Sequence, residues 1–332
     1  MVDEGSGYVV VATGSNSTQA LAPRPHRAAQ YARRNVAFLS APSAGTPADA
    51  GSAALQAFIG SHRRLFVLTG AGCSTDSGIP DYRDADGSWK RAQPVTYQAF
   101  MGEELTRKRY WARSLVGWRR FGHALPNSTH HALARLEQLG KTQLLLTQNV
   151  DGLHQRAGSQ QVVDMHGRLD TVRCMGCERR SPRHALQQAL LDHNPDWATL
   201  DAADAPDGDA DLEGHDFSRF AIPPCPHCGG VLKPDVVFFG ENVPRDRVAT
   251  AMQALDDADA MLVVGSSLMV FSGYRFAHAA AKAGKPIAAV NLGRTRADPL
   301  LSLKVEQPCA DALAFLLDRS ATGAEELAQQ SR

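Results

Sequence analysis

The chain has no excess of either charge. Lys plus Arg and Asp plus Glu number 35 each in 332 residues, so no global field draws it to nucleic acid or to an anionic membrane surface. It also lacks any uncharged apolar run near the length of a membrane span; runs such as 144–146 and 261–264 are strand-sized, and a soluble protein is expected. Cysteine is scarce: six residues are too few for a disulfide scaffold in a chain this long, and four of them fall in Cys-x-x-Cys pairs. That usage argues for a reducing compartment and a bound metal, hence a cytoplasmic location, with the mitochondrial matrix as the alternative for a eukaryotic source. Two absences are local. No acid lies between Glu4 and Asp49, where Arg24, Arg27, Arg33 and Arg34 accumulate, but the opening Met-Val-Asp-Glu argues against a transit peptide. Residues 1–50 read as a disordered or loosely attached extension, and 318–332 as a tail. Between Asp192 and Asp216 nine acids stand with no Lys or Arg, the composition of a solvated loop.

What is present is organised around residues 65–83, LFVLTGAGCSTDSGIPDYR. Four apolar residues stop at Gly70, as a buried parallel strand does at a turn. Gly70 and Gly72 flank Ala71, which lets backbone approach a ligand closely, and Ser74, Thr75, Asp76 and Ser77 follow. A strand ending in a glycine turn that opens a helix offers free N–H groups to a phosphate. The dinucleotide fingerprint Gly-x-Gly-x-x-Gly is incomplete, since Thr75 holds the third position. A turn using glycine for geometry alone therefore remains open on this stretch, although it leaves 77–83 unexplained.

Other strands end in the same way. Residues 144–147 run into Gln148, Asn149, Asp151 and His154; 260–264 into Gly265-Ser266-Ser267; and 287–290 into Asn291-Leu292-Gly293. Polar residues at the carboxyl ends of buried strands mark the ligand edge of an open α/β sheet. An Asn/Asp turn explains Asp151-Gly152 but not Gln148, Asn149 and His154. Helices are expected at 53–63, 98–123, 130–139 and 246–257, with an Ala-rich one before Pro286. His166, before Gly167, is by itself an ordinary histidine. Cys174-x-x-Cys177 and Cys225-x-x-Cys228 each offer two thiolates from one tight turn. Together they complete a tetrahedral S4 site for one structural zinc, with His227 a solvent-side passenger.

Residues 65–83 resemble the first signature of the sirtuins, NAD-dependent protein deacylases, with Cys73 where an aliphatic residue is usual and Tyr82 where many members have Phe. Residues 147–154 (TQNVDGLH) and 162–167 (VVDMHG) resemble the second and third. The resemblance covers about 53–317. It implies an α/β fold: a Rossmann-like parallel-sheet domain with a smaller inserted zinc-ribbon domain at 168–231 and the active site in the cleft between them. The 47 residues between Cys177 and Cys225 resemble the class II branch, and 109–113, 232–240 and 273–276 are similar to its mitochondrial member.

The resemblance implies NAD and zinc as cofactors, and acylated lysines of proteins as substrates. The acyl oxygen would attack C1′ of the nicotinamide ribose with loss of nicotinamide, yielding free lysine and O-acyl-ADP-ribose. His166 would be the catalytic base, with Asn149 and Gln148 positioning the ribose. Asp151 and the backbone near Ile79 would hold the carboxamide. The cofactor set implied comprises Gly70, Ala71, Gly72, Ser74, Ile79, Pro80, Asp81, Tyr82, Arg83, Gln148, Asn149 and Asp151, with Gly265, Ser266, Ser267, Asn291, Leu292, Gly293 and the backbone of Cys309. Val237, Phe238, Phe239 and Gly240 would take the substrate backbone as an added strand. Tyr110 and Arg113 share a helix face and resemble the pair with which desuccinylating members grip an acyl carboxylate, which suggests glutaryl-like chains. The ordinary reading is a basic helix face beside Arg107, Lys108 and Arg109. Protein ADP-ribosyl transfer with the same NAD site is the alternative activity. A dehydrogenase is disfavoured by the missing third glycine, and neither nucleic acid nor membrane is an expected partner.

Overall fold

The four apolar runs pair in register within one sheet. In the computed structural model, which describes residues 47–318 apart from 89, 91–93, 201, 203, 206–207 and 213, they are β1 (Leu65–Thr69), β2 (Thr142–Thr147), β9 (Ala260–Val264) and β10 (Ile287–Val290). Two short strands that the pattern did not reveal, β3 (Val162–Asp164) and β11 (Leu303–Val305), close its edges. The order is β11-β10-β9-β1-β2-β3, and every neighbouring pair is parallel. Outward from β1 the chain runs to β2 and β3 on one side and to β9, β10 and β11 on the other. The seam between β1 and β9 is therefore the switch point of a doubly wound sheet, where such folds open a crevice.

Strand residues alternate between two cores, as a period of two requires. Leu65, Val67, Leu262, Val264, Ala288 and Val290 face α1 (Pro47–Ser61), α4 (Ser128–Gln138) and α9 (Cys309–Ala312). Phe66, Leu68, Met261, Val263, Ile287 and Ala289 face α7 (Arg245–Asp257) and α8 (Phe271–Lys282). Each fully buried Leu, Ile or Phe contributes roughly 2 kcal/mol by leaving water, and this gives the sheet a stiff frame on which loops can be placed.

The helix expected at 98–123 is two helices, α2 (Tyr97–Gly102) and α3 (Glu104–Phe121), broken at Glu103, whose backbone is extended. Gly102 weakens the helix there. Arg107 of α3 takes the carbonyls of Phe100 and Met101 at 3.0 and 2.9 Å, which caps α2 from outside. α1 begins at Pro47, earlier than expected, because Pro is tolerated in a first turn and Asp49 suits the positive end of the helix dipole. The leader at 1–46 and the tail at 319–332 lie outside the described residues.

Between β3 and β8 (Leu232–Val236) the chain builds the smaller unit: β4 (Gly167–Cys174), β5 (Arg180–Pro182) and α6 (Arg183–His193), with a two-stranded hairpin β6 (Asp204–Ala205) and β7 (Asp209–Ala210). Its sheet, in the order β5-β4-β8, is antiparallel. Phe100, Tyr110, Trp111 and Leu115 of α2 and α3 share one core with Leu169, Val172, Leu186 and Leu232. The short α5 (Leu153–Arg156) follows the β2 loop. Among the described residues no helix is long and apolar enough to cross a membrane.

Candidate active site and zinc centre

The glycine loop after β1 does not open an α-helix. It folds as two single 3-10 turns, Ala71–Cys73 and Thr75–Ser77. Most of its N–H groups are already used: Gly70 donates to Val264 O at 3.1 Å, Gly72 to Gly265 O at 2.8 Å, Cys73 to Gly70 O at 3.0 Å and Ser74 to Ala71 O at 3.0 Å. The glycines serve a close approach between two loops. A Cβ on Gly72 would stand 2.9 Å from Gly265 Cα, and one on Gly70 would stand 2.7 Å from Ser266 Cβ. The small residues here permit contact across the β1–β9 seam.

Residues from the β1 and β2 ends form one hydrogen-bond network. Asn149 Nδ2 donates to Gly70 O at 3.1 Å and to Ser74 Oγ at 3.0 Å, and Ser74 Oγ donates to Asp151 Oδ2 at 2.7 Å. Leu153 N donates to Asp151 Oδ1 at 2.9 Å. Burial raises the pKa of Asp151, and the Leu153 and Ser74 donors oppose it. Gln148 Nε2 donates to Ser266 Oγ at 2.6 Å, joining the β2 and β9 loops. Ile79 is anchored on Ala124 and Leu153, while Pro80 and Tyr82 are half-buried. Asp81 is ion-paired with Lys90, and Arg83 Nη1 donates to Gly87 O at 2.6 Å.

His166 lies past the end of β3. Its Nδ1 faces Gln148 O at 3.0 Å, and its Nε2 faces Ser272 Oγ at 2.9 Å. A carbonyl only accepts, so Nδ1 carries the proton and Nε2 holds the lone pair. Burial lowers the His166 pKa to about 4, opposed by the Gln148 carbonyl and aided by Arg247 and Arg275. The remaining nucleotide-set residues sit at the same sheet edge. Ser266 and Asn291 are buried, Ser267 is half-buried, Leu292 is exposed and Cys309 is buried at the start of α9. Gly293, at φ 81°, would carry a Cβ 2.4 Å from Ala85 O, so the loop near 85 crosses it closely.

The 237–240 segment is tied to its surroundings. Val237 N donates to His166 O at 2.8 Å, Tyr97 N to Phe239 O at 2.9 Å and Phe238 N to Glu241 Oε2 at 3.0 Å. Phe238 packs on Phe100 and Tyr110, Phe239 is 39 % exposed, and Gly240 has φ 80°. Tyr110 and Arg113 do share a face of α3. Tyr110 is buried, and desolvation raises its pKa. Arg113 reaches the hairpin, with Nη2 3.3 Å from Asp209 Oδ2 and Nε donating to Ala210 O at 3.0 Å. An internal carboxylate thus occupies the guanidinium.

Among the described residues one group of metal-ligating side chains converges, Cys174, Cys177, Cys225 and Cys228, with all four sulfurs within 4.8 Å of one another. Tetrahedral Zn–S bonds of about 2.3 Å place sulfurs roughly 3.8 Å apart, and the observed Cys174–Cys228 and Cys177–Cys225 separations are 3.4 and 3.8 Å. The N–H groups of Cys177 and Gly176 point at Cys174 Sγ, and the Cys174 thiol is lowered to about 6. A Cβ on Gly230 would meet Cys174 Sγ at 3.1 Å. Donor set, spacing and cradle fit zinc, and with four thiolates no coordination position remains for substrate. His227 is exposed, as expected of a passenger.

No sequence pattern pointed to Ser272 or Arg247, and Arg275 was legible only as part of the 273–276 resemblance, not as a neighbour of His166. Ser272 belongs to the stretch before Gly273-Tyr274-Arg275-Phe276, but no pattern connects it with a histidine 106 positions earlier.

A doubly wound parallel sheet with polar loops at its switch point, beside a four-cysteine module, defines a Rossmann-like protein with a zinc-binding motif. The pattern of the Sir2 family matches residues 70–272. A protein of Xanthomonas campestris pv. campestris named NAD-dependent protein deacetylase is 72% identical over 263 residues, covering 79% of this chain and 90% of that protein. The NAD-dependent protein deacetylase 2 of Bradyrhizobium diazoefficiens is 70% identical over 263 residues, 79% of this chain and 96% of that one. A solved Sir2 structure with a p53 peptide and NAD+ superposes with a TM-score of 0.64 at 28% identity, over 81% of this chain and 98% of that one. The chain belongs to the Sir2 family, the sirtuins.

Proposed function

We infer that this chain is an NAD-dependent protein-lysine deacetylase, an enzyme that transfers the acyl group of a modified lysine. The observation that carries the reading is His166, a half-buried neutral imidazole with its tautomer set by Gln148 O and its basic Nε2 beside the loops of the sheet switch point. NAD supplies an electrophilic ribose carbon and, once nicotinamide has left, a ribose hydroxyl that accepts the acyl group. The protein's part is binding, orientation and one proton.

Asn149 and Gln148 position the ribose, and Asp151 with Ile79 holds the carboxamide in a geometry for departure. Ser74 links Asn149 to Asp151, so the two act as one unit. The loops at 70–74, 79–83, 265–267 and 291–293, with Cys309, line the remainder of the nucleotide. Residues 237–240 take the substrate backbone. His166 removes a proton from the ribose hydroxyl; its depressed pKa keeps Nε2 unprotonated at neutral pH. Zinc holds the small domain together and supplies no chemistry to the reaction. The four reduced thiolates also suit a bacterial cytoplasm.

The relatives matched are named protein deacetylases, which favours deacylation over ADP-ribosyl transfer to protein. The class II assignment rests on the insert length and on 109–113, 232–240 and 273–276. Acceptance of acidic acyl chains rests on Tyr110 and Arg113, and it requires Asp209 to yield the Arg113 guanidinium.

The test is nicotinamide release from NAD across acetyl-, succinyl-, glutaryl-, methylglutaryl- and lipoyl-lysine peptides, with His166→Tyr alongside. Turnover of acetyl-lysine that is lost by about 100-fold or more in the variant is expected. Radiolabel from NAD accumulating on protein, with no free lysine formed, would overturn the reading.

A further inference from the structure

We propose that Ser272, at the second position of α8, relays the proton from the ribose hydroxyl to His166. The inference rests on the deacetylase reading and assigns a second group to its proton transfer.

The geometry is specific. Nε2 is the basic nitrogen of His166, because Nδ1 spends its proton on Gln148 O at 3.0 Å. An imidazole nitrogen has one lone pair. Ser272 Oγ stands 2.9 Å from it, a full-strength hydrogen bond in which the hydroxyl donates. Direct attack by Nε2 on a ribose hydroxyl would first require that bond to break. The serine oxygen, however, keeps two lone pairs of its own, so it can accept from the substrate while donating to the histidine.

Neighbouring contacts place Ser272 at the ribose end of the site. The next residue, Gly273, lies so close to the Gln148 amide that a Cβ there would be 2.5 Å from Oε1, and the same amide donates to Ser266 Oγ. α8 therefore starts against the residue proposed to position the ribose. Capping does not explain the serine, since α8 is preceded by Val270 with no side-chain cap hydrogen bond. The charged groups around His166, Arg247 on α7 and Arg275 on α8, oppose an imidazolium. They act equally on a proton that arrives directly and on one relayed by Ser272, and the engaged lone pair of Nε2 is what separates the two routes.

The step balances. The ribose O–H bond breaks and its proton bonds to Ser272 Oγ. The serine's own proton moves to His166 Nε2, forming an imidazolium still bonded to Gln148 O. The ribose oxygen uses the electron pair of the broken O–H bond to bond to the acyl carbon, and the C=N π pair of that imidate carbon moves onto the lysine nitrogen.

The experiment compares wild type, Ser272→Ala and Ser272→Thr on an acetyl-lysine peptide with NAD. It measures nicotinamide–NAD exchange, which precedes this proton transfer, and lysine release, which follows it. The alanine variant is expected to keep exchange within about twofold and to lose about tenfold or more in kcat for release, with KM for NAD unchanged. Threonine should restore release, and the curved proton inventory of the wild type should become linear in the alanine variant. Independently of turnover, the 15N resonance of His166 Nε2 should move downfield in Ser272→Ala as its accepted bond is lost. An alanine variant that releases lysine as fast as wild type overturns the relay alone, as does one that loses exchange and release together. A wild type that turns over no acyl-lysine peptide overturns the deacetylase reading, and the relay with it.

Discussion

Gly117→Ala separates two ways in which the acidic insert can sit on the molecule. Gly117 lies within the helical span of α3, where alanine is better than glycine by about 1 kcal/mol. If the insert were only a solvated loop, the substitution would stabilise the protein by that amount. In the structure the β6–β7 hairpin lies on this residue: a new Cβ would stand 2.3 Å from Gly208 O and 2.6 Å from Asp209 C. Carbon needs about 3.5 Å from such neighbours, so the hairpin must retreat by roughly 1 Å. Overpacking of this size costs about 1–3 kcal/mol, and the expected net result is a loss of about 1 kcal/mol. The hairpin also holds Arg113 through Asp209 and Ala210 O, and it contributes Ala210 to a small core with Val116 and Leu212. Lifting it would expose the insert to protease and release the Arg113 guanidinium. Urea denaturation gives the sign of the stability change, limited proteolysis the state of the insert, and glutaryl- against acetyl-lysine turnover the consequence for Arg113. A urea midpoint that rises in Gly117→Ala, with the insert still protected, would refute the docking. Unchanged selectivity despite an undocked hairpin would remove the Arg113 argument for acidic chains.

Two further outcomes are expected. Emission spectrometry should find one zinc per chain, lost in Cys174→Ser; because the knuckles close the core shared by α3, β4 and β8, thermal stability should fall by several degrees, and a metal-free variant of wild-type stability would contradict the structural role. Stability should also decline as pH drops below about 6.5. His130 is fully buried, with Nε2 unpartnered, and desolvation lowers its pKa to about 4, while His154, its ring tilted against that of His130, is lowered well below its usual value. The unfolded chain then binds protons that the folded one refuses, so this stabilisation is complete above about 6.5 and is lost as pH falls, about 3 kcal/mol for His130 by the time pH reaches 4. Asp151 and Asp164, raised by burial, run the other way at the acid end, so the slope is best read just below 6.5. His130→Gln should make it shallower, leaving the parts of His154 and of His166, which is also lowered to about 4, and an unchanged slope would refute the assignment.

Much of the site was legible in the chain. Apolar runs of four or five residues ending in Gly, Asn or Ser located four central strands and the edge on which they converge, because a strand buried on both faces must be apolar throughout and its ligand groups must follow it. The cysteine pairs identified a zinc centre by donor chemistry and spacing alone. The edge strands β3 and β11, three residues each, were too short to carry a period. The break at Glu103 depended on Arg107 reaching back to the carbonyls of α2.

What the sequence by itself determined was the order of elements, the residues available at the sheet's carboxyl edge and the metal's ligands, since these depend on local pattern and covalent neighbours. Only the tertiary structure decided how those residues are used. The loop glycines serve contact across the β1–β9 seam, Arg113 faces an internal carboxylate 96 positions away, and the lone pair of His166 is met by a serine on α8. Each depends on atoms brought within about 3 Å by the packing of distant elements, a distance that no spacing along the chain encodes.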